Sequence, residues 1–399
     1  MKRAREDRGK DKWEQITWDE AFDLIESKTR EFWANPGPES ILTFTGTGRE
    51  ITMYSAAYCH AIFNSPNYCM TLSGGSCYGP RCTIANFQLG AGYPELDYAA
   101  YFPDRYDDPR WECPKYILVW GKNPIYSSPD GFFGHALVDL MKLGSKLIVV
   151  DPQVTWIAAH AEYHLQLRPG TDTALALAMC NVIISEDLYN HEFVEKWVYG
   201  FNEFAECAAE WTPEKAGEIC WIPAETIQGA ARAFATNYPS SALWGLSIDT
   251  MTNGVQAGHT FLAICALCGY MDIPGGITLA RPSSFTGKWR YETVNSVPDE
   301  IRAKRIKDLD GKYKCWDAAG PGPLPDVTLD WLEMENPPTQ FKMSYWFGTK
   351  PPDMHGCITK TLGESSQQAG VQRLSGHLYE PLHHGTVRLV PPPVDLSRT

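Results

Sequence analysis

One cysteine, Cys77, stands in a stretch whose composition is unusual for a protein core. Its flanks are rich in glycine and end in proline, in the order Gly-Gly-Ser-Cys-Tyr-Gly-Pro over residues 74–80. Such flanks favour turns and let a large group approach the backbone closely, and a thiolate suits a soft or high-valent metal. Free cysteines more often serve as packing, but these flanks favour a sulfur that faces a ligand. The next residue, Tyr78, can donate a hydrogen bond, either as a general acid or within the packing.

Two aspartates follow apolar segments further along the chain. Asp151 comes directly after residues 146–150, and Asp172 ends the Arg-Pro-Gly-Thr-Asp segment at 168–172. A carboxylate at a strand end can bind a ribose hydroxyl or a purine edge. Asp172 can either accept from the paired N–H donors of a guanine or cap the helix that begins there. Together with Cys77, this pattern predicts a nucleotide-tailed cofactor that holds a metal beneath a thiolate.

Other residues of chemical interest have simpler interpretations. Cys265 and Cys268 form a Cys-x-x-Cys pair inside an apolar helical pattern without a second ligand pair nearby, which favours core packing over a zinc or redox site. Three histidines, His160, His164 and His259, lack metal-site spacing with a carboxylate and are predicted to lie on helix faces or to support the site. No Gly-x-Gly-x-x-Gly segment opens a helix, so a plain nicotinamide site is poorly supported.

The elements that position these residues alternate between strands and helices. Predicted strands cover 41–44, 116–120, 146–150, 163–167 and 242–246. Predicted helices cover 17–33, with a capping box that starts at Thr17, and 53–63, 132–143, 154–160, 173–184 and 254–270. This alternation predicts an α/β fold with a doubly wound, mostly parallel, Rossmann-like sheet, in which ligands bind at the carboxyl ends of the strands.

A change in composition toward proline and charge predicts a domain boundary near residue 275. We expect a dinucleotide-binding α/β domain over residues 75–275, inserted in a discontinuous α/β domain of residues 1–74 plus 276–399. Residues 343–351 echo residues 117–124, because each has an apolar strand followed by Gly-x-x-Pro. The echo predicts either a second cofactor-facing loop or an unrelated strand–turn joint.

Composition excludes several classes of protein. The 399 residues, 44% of them hydrophobic, can bury a sizeable core. A net charge of -13, from 35 Lys+Arg and 48 Asp+Glu, disfavours nucleic acid and anionic membranes and favours a small-molecule substrate. No apolar run approaches the roughly 18 to 20 residues of a membrane span. The twelve scattered cysteines indicate reduced thiols. The charged start carries no export signal, which predicts either a protein that stays in the cytoplasm, the default for an unknown localisation, or a chain whose true start is missing.

As an ordered set, these motifs resemble the catalytic subunits of the molybdopterin oxidoreductase family, of the dimethyl sulfoxide reductase type. The resemblance covers most of the chain. It implies a bis(molybdopterin guanine dinucleotide) centre with molybdenum or tungsten, which performs two-electron redox chemistry or oxygen-atom or hydroxyl transfer on a small substrate, often in anaerobic respiration. The motifs that carry it are Trp-Glu-Gln-Ile-Thr-Trp-Asp-Glu-Ala at 13–21, Cys-Tyr-Gly-Pro at 77–80, Gly-Lys-Asn-Pro at 121–124, Asp-Pro-Gln at 151–153, Arg-Pro-Gly-Thr-Asp at 168–172 and Leu-Cys-Gly-Tyr-Met-Asp-Ile-Pro-Gly-Gly at 267–276.

The resemblance also implies roles for individual residues. Cys77 matches the protein ligand of the metal, and Tyr78 stands where formate dehydrogenases of this type usually have histidine, which disfavours formate oxidation. Gly348 and Lys350 would face the second pterin, although the family favours asparagine where Lys350 stands. The positions that match the lining of the dinucleotide tails, together with their loops, are Gly121, Asn123, Pro124, Asp151, Gly170, Thr171 and Asp172.

Two family features have no counterpart in this sequence. The cysteine motif of a four-iron cluster would precede residues 11–21, yet no cysteine occurs before Cys59, and the family's C-terminal barrel would follow residues 349–399. We therefore expect the middle of a larger enzyme, without ligands for the cluster, that works with an iron–sulfur electron-transfer subunit. The alternative is a metal-free structural or electron-transfer subunit that retains the fold, as in the large subunit of respiratory complex I, or a non-functional fragment.

Overall fold

A computed structural model describes residues 2, 4–7, 10–45, 52–70, 81, 84–85, 87–89, 94–97, 109–127, 132–251, 253–279, 293–307, 309, 338–347 and 372–375. The chain divides into two compact units, Met1–Gly75 with Ser284–Thr399 and, between them in sequence, Ser76–Ser283. The boundaries expected from the sequence fall at 74/75 and 275/276.

Strands and helices alternate through the described residues, which gives a mixed α/β fold. The strands are β1 (Ile41–Thr45), β2 (Tyr68–Met70), β3 (Pro94–Leu96), β4 (Tyr116–Trp120), β5 (Lys146–Val150), β6 (Tyr163–Leu165), β7 (Ser241–Trp244), β8 (Ile277–Leu279), β9 (Met343–Phe347) and β10 (Gln372–Ser375). The α-helices are α1 (Trp18–Ala34), α2 (Thr52–Ala57), α3 (Pro124–Ser127), α4 (Phe132–Lys142), α5 (Trp156–Ala159), α6 (Asp172–Ser185), α7 (His191–Trp197), α8 (Phe201–Ala209), α9 (Pro213–Cys220), α10 (Ala224–Thr236), α11 (Leu246–Asp249), α12 (Gly254–Leu267) and α13 (Asp299–Arg302).

The first unit is built on a parallel sheet with the strand order β10-β9-β1-β2. Helix α1 begins where the sequence predicts, because the Thr17 hydroxyl accepts the Glu20 N–H (3.2 Å) and the Glu20 carboxylate accepts the Thr17 N–H (2.8 Å). This is the predicted capping box. The predicted helix over 53–63 is α2 followed by a π-helical turn, Tyr58–Ile62.

The second unit contains a four-stranded sheet in the order β6-β5-β4-β7, and every neighbouring pair is parallel. Alternate residues of its central strands enter different hydrophobic cores. Ile117 and Val119 pack with α4 and α5 on one face. Leu118 and Trp120 pack with α6, α9, α10 and α12 on the other. Helices therefore cover both faces of the sheet, which explains why β4 is buried throughout and reads as a continuous apolar run.

Several predicted elements are shorter in the structure, for identifiable local reasons. Helix α5 starts at Trp156, because the Thr155 hydroxyl accepts the Ala158 N–H and caps it. Helix α12 ends before Gly269, whose positive φ of 71° a glycine adopts easily. Strand β7 ends at Trp244, one residue before a glycine that packs against a neighbouring loop. The antiparallel pair of β3 and β8 has three residues in each strand, too short to give a periodic signal.

Candidate functional site

The carboxyl ends of the parallel strands in the second unit form one edge of the sheet. Along the chain, β4, β5 and β6 are added in one direction, and β7 then pairs with the other side of β4. The strand order thus reverses between β4 and β7. In open α/β sheets, ligands bind in the crevice outside the carboxyl ends of the strands at such a reversal.

Two glycines allow the loops after β4 and β7 to approach closely at this reversal. The Gly245 N–H donates to the Trp120 carbonyl (2.9 Å), and a Cβ on Gly245 would lie 2.2 Å from the Gly121 carbonyl oxygen. Gly121 has a φ of 58°, and a Cβ there would lie 1.6 Å from the Ser247 hydroxyl oxygen. Any side chain at either position would collide with the other loop, so the close approach of the two loops requires glycine at both positions.

The loop after β4 contains Asn123, whose backbone and side-chain oxygens differ in their hydrogen bonding. The Asn123 carbonyl accepts the N–H groups of Tyr126 (3.1 Å) and Ser127 (2.9 Å), and Pro124 opens helix α3. The side-chain oxygen Oδ1 of Asn123 is shielded from solvent and has no hydrogen-bond partner among the described residues. A buried amide oxygen without a partner is rare in folded proteins and calls for an explanation, such as a ligand.

An ion pair between Lys122 and Glu95 supports the same loop. The Lys122 ammonium lies 3.8 Å from Glu95 Oε1 and 5.0 Å from the centre of the Phe133 ring. Burial lowers the pKa of Lys122 and raises that of Glu95, while each charge partly offsets the effect on the other. The Lys122 side chain is therefore held toward the protein interior rather than toward solvent.

The loop after β5 presents the Asp151 carboxylate, which is half-buried. Its Oδ1 accepts the Gln153 N–H (2.8 Å). The His164 ring nitrogen Nε2 lies 2.9 Å from the Asp151 carbonyl oxygen, and the Gln166 side chain donates to the Pro152 carbonyl (3.0 Å). His164 thus supports this loop through the backbone.

The loop after β6 leads into helix α6. Gly170 has a φ of 86°, and no atom of the described residues lies within 4 Å of the place where its Cβ would be. Thr171 is the N-cap, and its hydroxyl donates to the Arg168 carbonyl (2.6 Å). Asp172 is the first helical residue, is buried, and accepts a hydrogen bond from Trp120 Nε1 at Oδ1 (2.8 Å). Burial raises the pKa of Asp172, whereas this hydrogen bond lowers it.

The structure adds Asn253, which the sequence analysis missed. Its Nδ2 donates to the Thr173 hydroxyl (3.1 Å), and its Oδ1 is shielded with no partner among the residues that the structure describes. Asn253 stands at the N-cap of α12 yet makes no side-chain cap there. An asparagine immediately before a predicted helix was the available signal, but asparagine at that place usually caps.

The remaining predicted residues have different outcomes. Cys77, Tyr78, Gly348 and Lys350 lie outside the described residues. Cys265 and Cys268 are free thiols buried in the core beside α6, which confirms the packing interpretation. Within the described ranges, no group of three or more His, Cys, Asp or Glu side chains is arranged to hold a metal. None of the helices in those ranges has the length and apolar character needed to cross a lipid bilayer.

Comparison with known proteins identifies the family. The family model described as molybdopterin oxidoreductase matches residues 1–367. The chain belongs to the molybdopterin oxidoreductase family. This confirms the resemblance stated from the motifs, and membership implies a molybdopterin-type cofactor with molybdenum or tungsten.

Its relatives in this family catalyse different reactions. Acetylene hydratase of Syntrophotalea acetylenica is 33% identical over 307 residues, which cover 77% of this chain and 40% of the relative. Formate dehydrogenase H of Escherichia coli is 28% identical over 269 residues, 66% of this chain and 35% of the relative. The solved structure of acetylene hydratase from Pelobacter acetylenicus has a TM-score of 0.66 and 24% identity over 92% of this chain and 50% of its own, and shows the same fold. The chain thus spans 35 to 40% of the length of these curated relatives.

The carboxyl edge of the second unit has suitable groups for a pterin cofactor with a nucleotide tail. Pterin and guanine rings carry N–H donors, and the shielded oxygens of Asn123 and Asn253 are acceptors without a partner among the described residues. The open space at Gly170 admits a bulky group close to the backbone. The residues present therefore fit this class of cofactor.

Proposed function

We propose that the chain is the core of a molybdenum or tungsten oxidoreductase catalytic subunit that binds bis(molybdopterin guanine dinucleotide) and acts on a small substrate. The single observation that carries this proposal is the shielded Asn123 Oδ1, which has no partner among the described residues and lies at the point of strand-order reversal, in a chain of this family. We further propose that the unit Ser76–Ser283 is a dinucleotide-binding domain inserted in the other unit.

The proposed role of each residue follows from the chemistry of its group. Asn123 accepts a ring N–H, and the Asp151 carboxylate accepts from a ribose hydroxyl. Gly121 and Pro124 fix the Asn123 loop, and Gly170 and Thr171 leave room for the tail. Asp172 has one oxygen bonded to Trp120, so it orders the start of α6, and its carboxylate is the proposed acceptor for a guanine N–H.

Cys77 is the proposed metal ligand, with Tyr78 as a proton donor beside it, and Gly348 and Lys350 are proposed to face the second pterin. When bound, the cofactor supplies a metal that can exchange two electrons or polarise a substrate oxygen. The protein's part is to bind, orient and shield it. The relative named formate dehydrogenase H supports two-electron redox chemistry, and acetylene hydratase supports hydration as the alternative. An iron–sulfur electron-transfer subunit is the proposed partner for the redox reaction.

Cofactor content tests the proposal without any assumption about the substrate. The chain would be purified from an anaerobic host that makes the cofactor. Metal would be measured by mass spectrometry, and GMP released by acid would be quantified. We expect molybdenum or tungsten together with GMP at about two per metal. Protein with neither metal nor GMP would refute the proposal and favour the metal-free subunit.

Two variants separate the Asn123 role from a general loss of stability. Asn123→Leu removes the unpartnered oxygen at similar volume, and we expect about tenfold lower retention of GMP on dilution, as for one lost hydrogen bond in a buried site. Asn181→Leu is the matched control, because Asn181 lies on α6 in the same unit and its side chain donates to the Ala208 carbonyl (3.0 Å). Equal GMP retention in both variants would exclude Asn123 from the site.

A further inference from the structure

A cavity of about 410 Å³ opens on the surface of the second unit, at the connection between α7 and α8. Aromatic rings of Tyr189, Tyr199 and Phe201 line it, together with the carboxylates of Glu195 and Glu203. None of the described residues that line it is a lysine or an arginine. Its volume lies within the range of small-molecule sites in proteins.

This cavity is separate from the carboxyl edge of the sheet. Helix α6 starts at that edge with Asp172 and continues for 14 residues, a length of about 20 Å. The Leu188 N–H donates to the Ile183 carbonyl (2.8 Å), which keeps the following residue, Tyr189, at the other end of α6. The loops of the proposed cofactor site therefore do not contribute to the cavity.

Backbone hydrogen bonds fix the segment that carries Tyr189. The next residue, Asn190, donates its N–H to the Leu267 carbonyl at the end of α12 (2.7 Å). It also caps α7, because its Oδ1 accepts the Phe193 N–H (2.9 Å). A Cβ on Gly269 would lie 2.7 Å from Asn190 Nδ2, so the packing around this residue is close. Tyr189 is therefore held in place before any ligand binds, which lowers the cost of binding.

A glycine shapes the turn between α7 and α8. Gly200 is the N-cap of α8, and its φ of 79° is one that glycine adopts easily. The turn brings Phe201 to Tyr189, with ring centres 4.9 Å apart and ring planes at 43°. It leaves Tyr199 fully exposed. Tyr199 thus contributes little to the packing of the fold, and its ring is available to a ligand in the cavity.

The charges around the cavity are negative. Glu195 and Glu203 have no ion-pair partner among the described residues. His191 also lines the cavity, but its Nε2 lies 3.0 Å from Asp187 Oδ1, so a positive charge on the ring would be balanced by that carboxylate. The net charge of -13 on the chain adds a general attraction for cations.

Aromatic rings and carboxylates together suit one class of ligand. A cation with an apolar surface is attracted by both, because the face of an aromatic ring is negative and the alkyl groups pack against it. A neutral apolar molecule would use the rings but not the carboxylates. A bare metal ion would use the carboxylates but not the rings, and no cluster of three or more metal-ligating side chains occurs within the described ranges.

We propose that this cavity binds a small alkylammonium cation of the trimethylammonium type. The cation lies against the rings of Tyr199 and Phe201, and Glu195 and Glu203 balance its charge. Binding does not depend on the proposed cofactor, so the chain should bind the cation equally well with and without molybdenum or tungsten.

Choline and its neutral isostere 3,3-dimethyl-1-butanol, in which carbon replaces the charged nitrogen, test the proposal on the full chain. Binding of each would be detected by saturation-transfer NMR of its methyl protons and measured by calorimetric titration. We expect a millimolar Kd for choline, at least about tenfold lower than that of the isostere. Added salt should weaken the binding of choline alone. Equal affinities, or no binding of choline at about 50 mM, would overturn the inference.

Substitutions locate the binding site. Tyr199→Leu and Glu195→Gln should each raise the Kd for choline by about threefold. Trp197→Leu and Glu206→Gln are the matched controls, because Trp197 on α7 and Glu206 on α8 are exposed but do not line the cavity. Far-UV circular dichroism would check the fold of each variant. An unchanged Kd in folded Tyr199→Leu, or equal losses in the controls, would overturn the inference.

Sedimentation with phosphatidylcholine vesicles distinguishes the two sources of such a cation. We expect the protein to remain in the supernatant, as for a free cation in solution. Protein that pellets with the vesicles, and is released by added choline, would assign the same cavity to a lipid headgroup.

Discussion

The hydrogen bond between Trp120 and Asp172 joins the sheet to the start of α6, and its removal gives a quantitative prediction. Trp120 is 1% exposed, and its Nε1 lies 2.8 Å from the Asp172 carboxylate oxygen. In Trp120→Phe the donor is lost and a buried carboxylate oxygen loses its partner, at a cost of about 1.5 to 3 kcal/mol at neutral pH. The smaller ring leaves a cavity worth on the order of 1 kcal/mol. We therefore expect the free energy of unfolding to fall by about 3 kcal/mol.

A double-mutant cycle isolates the hydrogen bond from the cavity. Urea unfolding of the metal-free chain, followed by far-UV circular dichroism, would be measured for Trp120→Phe, Asp172→Ala and the double variant. The coupling energy between the two sites should be about 1.5 to 3 kcal/mol. In thermal unfolding, Trp120→Phe alone should lower the Tm by about 6 to 12 °C for a unit of this size.

Trp244→Phe provides the matched control. Trp244 is the register partner of Trp120 on β7 and is equally buried, but its Nε1 donates to the neutral Pro94 carbonyl (3.2 Å). A cycle of Trp244→Phe with Asp172→Ala should show coupling below about 0.5 kcal/mol. Coupling of that small size for Trp120 as well would refute the assignment of an energetically significant Trp120–Asp172 bond.

Two further predictions concern the first unit. Burial, together with the charge of Arg305, lowers the pKa of His60 to about 4. The unfolded chain therefore binds more protons than the folded chain between that pH and about 6.5. The free energy of unfolding should fall by on the order of 3 kcal/mol as the pH drops through this window. In His60→Gln, urea unfolding at several pH values should lack this component, and an unchanged pH dependence would exclude His60 as its source. Thr17→Ala removes the capping box of α1 and should cost about 1 kcal/mol. Thr236→Ala removes a helix hydroxyl that donates to the Arg232 carbonyl (2.8 Å) and accepts a long bond from Asn237 Nδ2 (3.4 Å), and it should be nearly neutral; equal losses would contradict the capping argument.

The strands that position the candidate site could be predicted from the sequence because their residues are apolar on both faces. The bounds of β4 and β5 agree with the prediction at every residue, since each is followed directly by a residue that does not continue a buried strand, Gly121 or Asp151. The predicted strand over 163–167 ends two residues early, at Leu165, because the Leu167 N–H turns back to the Leu165 carbonyl (2.9 Å). Apolar pattern alone does not reveal such a local turn.

The side chains that complete the site could not be predicted, because their partners are distant in sequence. Asp249, whose carboxylate accepts the Arg81 backbone N–H (2.9 Å), is separated from Arg81 by 168 residues, and no periodic pattern relates the two positions. The Nδ2 group of Asn253 bonds to Thr173, 80 residues away, across two different strand–helix loops. Motif reasoning finds residues that follow a strand, whereas these residues become neighbours only through the reversal of strand order between β4 and β7.

The distribution of buried polar groups along the sheet of the second unit separates stability from function. At the amino ends of the strands, the buried hydroxyls of Ser145, Ser240 and Ser241 each donate to a backbone carbonyl. Neutral side chains therefore satisfy the backbone carbonyls of the connecting loops there. At the carboxyl ends, the buried groups Arg81, Asp172 and Asp249 are charged. Asp97, which accepts the Gly275 N–H, is a buried charge near the amino end of β7. Since buried charges contribute little net stability, their concentration at the carboxyl ends is better explained by the need to fix the geometry of a binding site than by folding.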